Sequence, residues 1–410
     1  MTGSAHENPI RTRCCIVGAG PAGMMLGYLL GRAGVDTIVL EKHADFFRDF
    51  RGDTVHPSTL QVMDELGLID DFLKLKHDRI QKLDGCFGQQ RLRIADISKT
   101  RAKYPFIAFM PQWDFLNFLR DKGQRYPHLT LMMKTEAKDL VWSGQRVVGV
   151  RASTEQGPID IRADLVVACD GRHSIVRPAG KLEIEDIAAP MDVLWFRVAK
   201  GAETDRIFAR LEPGRMMVTI DRGDYWQCAY VIAKSGYEKI KARGLDAFRA
   251  DVARLAPVLR AHIDDVTSWD DVKLLTVAIN RLKRWHVPGL LCIGDAAHAM
   301  SPVGGVGVNI AVQDAVAAAN LLAAKLQKGP VTEDGLDAVR QRREFPMRMT
   351  QALQVMMQNN IISRALASGD RPLKPPLFMR IINALPPLRG MAARLLAIGV
   401  RPEHVQSPEA

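Results

Sequence analysis

The 410 residues exceed what one hydrophobic core ordinarily supports, and with 47% hydrophobic and 25% charged residues they should form two or three globular lobes rather than a disordered or fibrous chain. The formal charge of +10 is unevenly placed, since from Arg340 to Arg401 eleven Lys/Arg face only Glu344 and Asp370. Only Phe345 and Phe378 lie among these basic residues and no nucleic-acid motif accompanies them, so DNA and RNA are not expected partners.

The polar stretch from Met1 to Arg13 has no apolar signal core, and no run approaches the ~20 apolar residues of a membrane span. Cys14 to Val17 then reads as a buried strand running into Gly18-Ala19-Gly20-Pro21-Ala22-Gly23. Pro21 suits the first turn of a helix, Gly34 its stop, and Val35 to Leu40 has the β-branched character of a second strand. Apolar spacing predicts a helix from Thr59 to Leu75, β structure from Ile80 to Ile97, a helix from Trp113 to Tyr126, and several strands over 129–169. The last of these strands ends Val166-Val167-Ala168-Cys169 before Asp170-Gly171. From Met191 to Ile232 the pattern alternates, with Val193, Trp195 and Arg197 on one face and Leu194, Phe196 and Val198 on the other, which predicts an antiparallel sheet. A helix follows from Leu245 to Leu259. A third apolar run, Leu290-Leu291-Cys292-Ile293, ends at Gly294-Asp295, and an alanine-rich helix from Gly307 to Leu326 opens a helical C-terminal region. Cys14, Cys15, Cys169 and Cys292 lie inside apolar runs without metal-ligand spacing, so they read as small hydrophobes in a protein of the reducing cytoplasm, with no metal site.

Three apolar runs, each ending at a glycine or acidic turn, are how parallel strands deliver groups to one sheet edge, where ligands bind. In the first, Gly18 permits a tight turn, Gly20 lets the backbone approach a pyrophosphate, and the helix start supplies N–H donors and a positive dipole. Glu41, at the end of the second strand with Lys42 beside it, suits the two hydroxyls of an adenosine ribose and would repel a 2′-phosphate, so FAD or NAD is expected rather than NADP. Gly294-Asp295 decides for FAD: the carboxylate suits a ribityl chain, and the glycine-rich helix start from Gly304 to Asn309 suits the pyrimidine side of a flavin. His298, packed beside this turn, reads as structural rather than as a catalytic base.

On these motifs the chain resembles the flavoprotein aromatic hydroxylases, single-component FAD monooxygenases of the para-hydroxybenzoate hydroxylase and salicylate hydroxylase type. The resemblance covers about the first 330 residues. It implies an α/β fold, with a Rossmann-like FAD-binding domain of the glutathione-reductase type, an inserted antiparallel-sheet substrate domain and a C-terminal helical region. The boundaries it suggests are 1–80, 109–183 and 277–335 for the FAD domain, 81–108 and 184–276 for the substrate domain, and 336–410 for the helices. By resemblance, Gly18, Ala19, Gly20, Pro21, Ala22 and Gly23 hold the pyrophosphate and Glu41 the ribose. Arg51 lies near the pyrophosphate and ribityl region, Gln112 contacts the flavin, and Asp170-Gly171 with Ser174 and Arg177 serves both FAD and NAD(P)H. Asp295 takes the ribityl chain, and Pro302, Gly305, Gly307, Val308 and Asn309 flank the ring; Val306 departs from the polar residue that relatives often carry there.

The activity implied is hydroxylation of an aromatic or polycyclic small molecule through a flavin C4a-hydroperoxide, with FAD bound non-covalently, NAD(P)H as a transient reductant and O2 as co-substrate. No second glycine fingerprint is present for a resident NAD(P)H. No single side chain identifies itself as a catalytic base. Candidates for the substrate pocket are Trp195, Arg197, Tyr225, Gln227 and Tyr230, with Met110 near the ring, and the period of two allows only one of the sets Tyr225/Gln227 and Trp226/Tyr230 to face it. A flavin halogenase would carry a W-x-W-x-I-P motif, and the nearest run here is Trp269-Asp270-Asp271. A reductase or dehydrogenase of the same fold acting on an isoprenoid or quinone-like substrate, and a non-catalytic flavin-binding protein, remain as alternatives. In the tail, Leu388, Met391, Ala392, Leu395 and Leu396 recur at helical spacing, either docked on the protein's own core or, across 377–401, touching an anionic membrane as a peripheral contact. The chain is expected to act as a monomer or homodimer.

Overall fold

A computed structural model describes residues 9–47, 54–202, 207–369 and 373–410. Strand β1 (Ile10–Val17) buries all of its last four residues, as a central parallel strand does. It feeds helix α1 (Pro21–Arg32), which returns the chain to β2 (Thr37–Leu40), parallel to β1. The predicted helix from Thr59 to Leu75 is two pieces: α2 (Pro57–Glu65) and a single turn, Ile69–Phe72. The break falls where Gly67 adopts φ 68°, a left-handed conformation that ends a helix. Helix α3 (Gln112–Gly123) precedes the parallel edge strand Leu129–Met132, and an antiparallel pair then leads to β3 (Gly157–Ala168), which inserts on the other side of β1.

From β3 the chain leaves for a second sheet. Its neighbouring strands β4 (Met191–Ala199) and β5 (Tyr225–Ala233) pair antiparallel, and its outer strands are Lys82–Phe87 and Gln90–Asp96. One pair departs from the expected antiparallel pattern: Ile207–Glu212 runs parallel to Lys82–Phe87, because the two come from segments far apart in the chain. Helix α4 (Leu245–Leu255) packs Phe248 and Val252 on the face that carries Leu194, Phe196 and Tyr230. It ends before Pro257, short of the predicted Leu259. The chain re-enters the first sheet as β6 (Leu290–Cys292), parallel to β3.

Helix α5 (Gly307–Leu326) is buried on nearly every side, between α1 and the long α6 (Glu333–Met357). The stretch Val303–Leu326 is, by length and apolarity, enough to cross a bilayer, which the sequence reading overlooked; here it is mostly buried inside the protein and serves as the core helix. Buried on α5, Asp314 accepts from Gly294 N (3.0 Å), His298 Nε2 (2.6 Å) and Arg343 Nε of α6 (2.9 Å). Burial pushes its carboxyl up, but His298 and Arg343 outweigh that and hold it low. Arg343 also approaches Glu403 at 3.6 Å, and the terminal segment is strapped on through Arg32–Glu409 (2.8 Å) and Val405 N to Glu65 (2.8 Å).

The basic region divides in two. Arg340, Arg342, Arg343 and Arg348 are neutralised by Asp337, Glu344, Glu403 and Asp314, so only the later part presents a basic face. The final helices α7 (Leu377–Ala384) and α8 (Pro386–Ala397) lie on the second sheet. The docked stripe of α8 is Ala393, Leu396 and Ala397, whereas Met391 and Leu395 point outward, 57% and 41% exposed. The small alanines let the helix approach the sheet closely, which the larger apolar residues would prevent. The six cysteines are free thiols, and all but Cys86 are buried.

Arg343→Met would leave Asp314 as a buried charge with one partner fewer, so a loss of about 3–5 kcal/mol is expected in urea unfolding of the apoprotein. A loss under about 1 kcal/mol would show that the ion pair contributes little.

Candidate active site

The register of the first sheet aligns three strand ends. Val17 is level with Leu40 on one side and Ala168 on the other, and Ala168 is level with Cys292. The chain beyond each strand therefore emerges along one edge: Gly18–Gly23, Glu41, Asp170–Gly171 and Gly294–Asp295. The ladder carries on into these turns through Gly18 N to Leu40 O (2.9 Å), Cys169 N to Val17 O (2.7 Å) and Ile293 N to Ala168 O (3.1 Å).

Within the first turn the glycines do different work. Gly18 has φ 96°, and a Cβ there would lie 2.6 Å from Cys169 O. A Cβ on Gly23 would lie 1.9 Å from Gly18 O, so α1 can start this close to the turn only with glycine there. A Cβ on Gly20 would meet nothing within 4 Å. That open space lies beside the N-terminus of α1, opened by Pro21 with buried Ala22 and Gly23 behind it. Glu41 accepts from Ala19 N (3.3 Å) and His43 N (3.1 Å), which fixes its carboxylate beside the turn; Lys42 next to it is exposed.

On the neighbouring strand end, Asp170 Oδ2 accepts from Ile175 N (2.9 Å) and Val176 N (3.2 Å), and Gly171 turns the chain with φ 82°. Burial pushes the Asp170 carboxyl up against these bonds, and its Oδ1 is buried without a hydrogen-bond partner among the described residues. Ser174 Oγ caps Arg177 N at 3.1 Å, Arg177 donates to Arg172 O, and Arg172 Nη2 reaches Asp295 Oδ2 at 3.4 Å. Asp295 is thus half-buried at the edge beside a guanidinium. His298 is buried, with its Nε2 engaged by Asp314 and its backbone N bonded to Gly294 O.

The loop before α5 is held from two sides. From α6, Gln351 Nε2 donates to Asn280 O (3.0 Å) and Ala299 O (3.2 Å). Gln354 Nε2 donates to Ser301 O (2.9 Å) and Val303 O (2.8 Å), and its Oε1 accepts from Ser301 N (3.2 Å). Together they fix the segment carrying Pro302. On the other side, Asn309 Oδ1 accepts from His56 N (2.8 Å) and Thr59 Oγ1 (2.7 Å), and Thr54 Oγ1 donates to Gly305 O (2.6 Å). The Asn309 side chain is therefore a cross-link between chain segments. With Gly307 and Val308, Asn309 forms the first turn of α5, whose backbone N–H groups have no intrahelical acceptor. Gln112 stands half-buried at the start of α3. Arg51 lies outside the described residues.

The second sheet turns the Trp195 face toward this loop. Trp195, Val218 and Ile220 pack with Phe109 and Phe208, with Leu396 of α8 on one flank and Val303 of the glycine loop on another. Arg197, Tyr225 and Gln227 share the face: Arg197 pairs with Gln227, its guanidinium lies 5.2 Å from the Tyr225 ring, and Arg222 Nε donates to Gln227 Oε1 at 2.9 Å. Tyr230 is corrected out of this set, because the strand period places it on the opposite face against Phe248. Met110 is 1% exposed within the core of the first sheet, so it packs rather than lines a pocket. Sequence reasoning missed Thr54, His56, Phe208 and Val218; their roles come from long-range contacts that no local pattern announces.

The donor set fits a flavin dinucleotide: an open cradle over Gly20 at a helix start, Glu41 at the second strand end, and at the far end Asp295 with an orphan carboxylate oxygen beside it. The chain matches the FAD binding domain family over residues 11–353. It is an FAD-dependent monooxygenase of the aromatic hydroxylase family. It is 30% identical to the 6-methylpretetramide 4-monooxygenase of Streptomyces rimosus over 409 residues, covering 96% of this chain and 95% of that one. It is 27% identical to the rifampicin monooxygenase of Rhodococcus hoagii, over 80% of this chain and 70% of that one. In fold it is similar to Pseudomonas aeruginosa PqsL in complex with 2-aminobenzoylacetate, with a TM-score of 0.74 at 22% identity over 87% of this chain and 97% of that one.

The glycines separate folding from binding. Gly20→Val should leave the thermal midpoint of the apoprotein nearly unchanged while lowering FAD affinity by at least about a hundredfold, whereas Gly23→Ala should cost the apoprotein about 2 kcal/mol or more. Flavin fluorescence titration and calorimetry read the two effects; equal FAD affinity for Gly20→Val and the parent would refute the cradle.

His56 supplies a pH test. Burial pushes its imidazole down to about 4, against the pull of the Leu396 and Gly304 carbonyls. Because the folded value lies below the unfolded one of about 6.5, the unfolded chain binds the extra proton, so this contribution is present above pH ~6.5 and is lost as pH falls toward ~4. The stability gap between the parent and His56→Asn should narrow by about 2 kcal/mol between pH 7 and 4.5. A constant gap would show that His56 is not held neutral.

Proposed function

We propose that this monooxygenase hydroxylates a polycyclic, phenolic aromatic molecule, using NAD(P)H as reductant and O2 as co-substrate. One oxygen atom replaces a ring hydrogen as hydroxyl, the other leaves as water, and the hydride of NAD(P)H supplies the two electrons. The observation that carries this reading is the two-ended character of the Trp195 face. Trp195, Val218, Ile220 and Phe208 make an apolar wall beside Val303 of the glycine loop, and Arg222, Gln227, Arg197 and Tyr225 lie toward the turn end of the same face. An aromatic body stacks on the first and a phenolate or acyl oxygen meets the second. Similarity over nearly the full length to an enzyme named for a pretetramide supports a polycyclic substrate.

In this reading Gly18, Gly20 and the start of α1 bind the pyrophosphate, Glu41 the ribose, and Asp295 with Asp170 the ribityl region. The first turn of α5 faces the flavin pyrimidine. When bound, FAD supplies the hydride acceptance and oxygen activation. The protein's own part is to orient the ring to be hydroxylated, hold its oxygen as an anion and keep water out through the apolar wall. The first sheet with α1, α3 and α5 then serves the cofactor, and the strands of 82–96 and 191–275 the substrate. The protein would work in the cytoplasm.

A panel of polycyclic phenols should contain a compound that accelerates NAD(P)H oxidation at least about tenfold and gains one 18O atom from 18O2. Acceleration without label would point to a reductase. Arg222→Met should raise KM for that compound by about one to two orders of magnitude while the bound flavin spectrum stays unchanged; an unaltered KM would remove Arg222 from substrate recognition.

A further inference from the structure

The helix pair α7–α8 carries five exposed large apolar side chains. Leu377 is 68% exposed, Ile381 44%, Leu385 49%, Met391 57% and Leu395 41%. The helices pack on each other and both lie on Gln90–Asp96, and each exposes apolar residues at four-residue spacing. Arg380 and Arg394 stand exposed among them. From Lys374 to Arg401 the chain carries Lys374, Arg380, Arg389, Arg394 and Arg401 and no acidic residue. Arg401 is engaged with the Phe345 ring at 4.7 Å, while Arg380 and Arg394 have no carboxylate partner among the described residues. This contrasts with the arginines of α6, whose charges are matched by nearby carboxylates.

We propose that the α7–α8 face docks on an anionic lipid bilayer. Large apolar side chains interleaved with arginines are the composition that lies in the headgroup region, where the apolar groups leave water and the guanidinium groups meet phosphates. A second copy of the chain is a poorer occupant, since it would bring two acid-free basic faces together. The inner side of the same helix fits this surface to the enzyme: Leu396 reaches Gly304, whose Cβ would lie 2.8 Å from Leu396 Cδ1, and its carbonyl receives His56 Nδ1 at 3.1 Å. A bilayer under α8 is thus separated from the glycine loop by the thickness of one helix, a short route for a lipophilic substrate. The binding itself does not depend on which substrate the site takes.

The test uses the full-length, FAD-loaded protein and flotation with phosphatidylcholine vesicles with and without phosphatidylglycerol. The expected result is flotation only with the anionic vesicles, weakening as salt is raised. The double variant Leu377→Gln/Met391→Gln should reduce partitioning at least about tenfold, and Arg380→Gln/Arg394→Gln roughly fivefold per arginine. Both should keep the parent's flavin absorbance and thermal midpoint, because the replaced side chains face water. No flotation with anionic vesicles would overturn the proposal, as would flotation that neither variant weakens. A concentration-dependent dimer in sedimentation velocity, abolished by Leu377→Gln/Met391→Gln in a protein that does not float, would assign the face to a second copy instead.

Discussion

The carboxylate of Asp314 is the interaction on which the site depends. It sits in the core helix α5, 0% exposed, and gathers the Gly294 amide, His298 and Arg343 around one negative charge. An isolated carboxylate at this depth would be protonated or drive the fold apart, so its partners are obligatory. They come from the turn that carries Asp295, from the loop after it, and from α6, and Arg343 extends the cluster to Glu403. A cofactor edge made of three short turns could drift by an ångström without consequence for the hydrophobic core. The buried charge removes that freedom for the turn that carries Asp295.

Hydrogen bonding does the equivalent work for the glycine loop. Ala299 is still met by Asn280, but beyond it the backbone of Ser301 and the carbonyl of Val303 are met by the side chain of Gln354, while Gln351 adds a second donor to Ala299 O. One side-chain amide of α6 both donates to and accepts from this segment, as a neighbouring strand would. Thr54 and Asn309 hold the other side. The start of α5 is thereby held at a fixed height relative to the sheet edge.

How much of this was legible in the chain follows from the range of the forces involved. The glycine turn, Glu41 and the acidic strand ends are local patterns, and the strand register brings them together because each apolar run ends at the same level. The alternation of 191–232 separated two faces but could not say which met the flavin side. Helix α4 covers the Tyr230 face with Phe248, which leaves the Trp195 face packed toward Val303. The break at Gly67 is a backbone effect that apolar spacing does not register. In the tail, helical spacing of apolar residues found Leu396 but not Ala393 and Ala397, which dock with it, and it included Met391 and Leu395, which are exposed. The net charge of the C-terminal region misled in a similar way, because its first arginines serve acids brought from other segments.

The four thiols beneath the cofactor edge have a chemical consequence for an enzyme that handles molecular oxygen. Cys14, Cys15 and Cys292 lie in the strands that end there and Cys169 directly follows one, and burial pushes each well above the usual thiol range. Oxidants attack the thiolate, so sulfur kept protonated and dry is inert to any hydrogen peroxide escaping from incomplete turnover. Four potential casualties of the reaction are thus placed close to it in the one form that survives it.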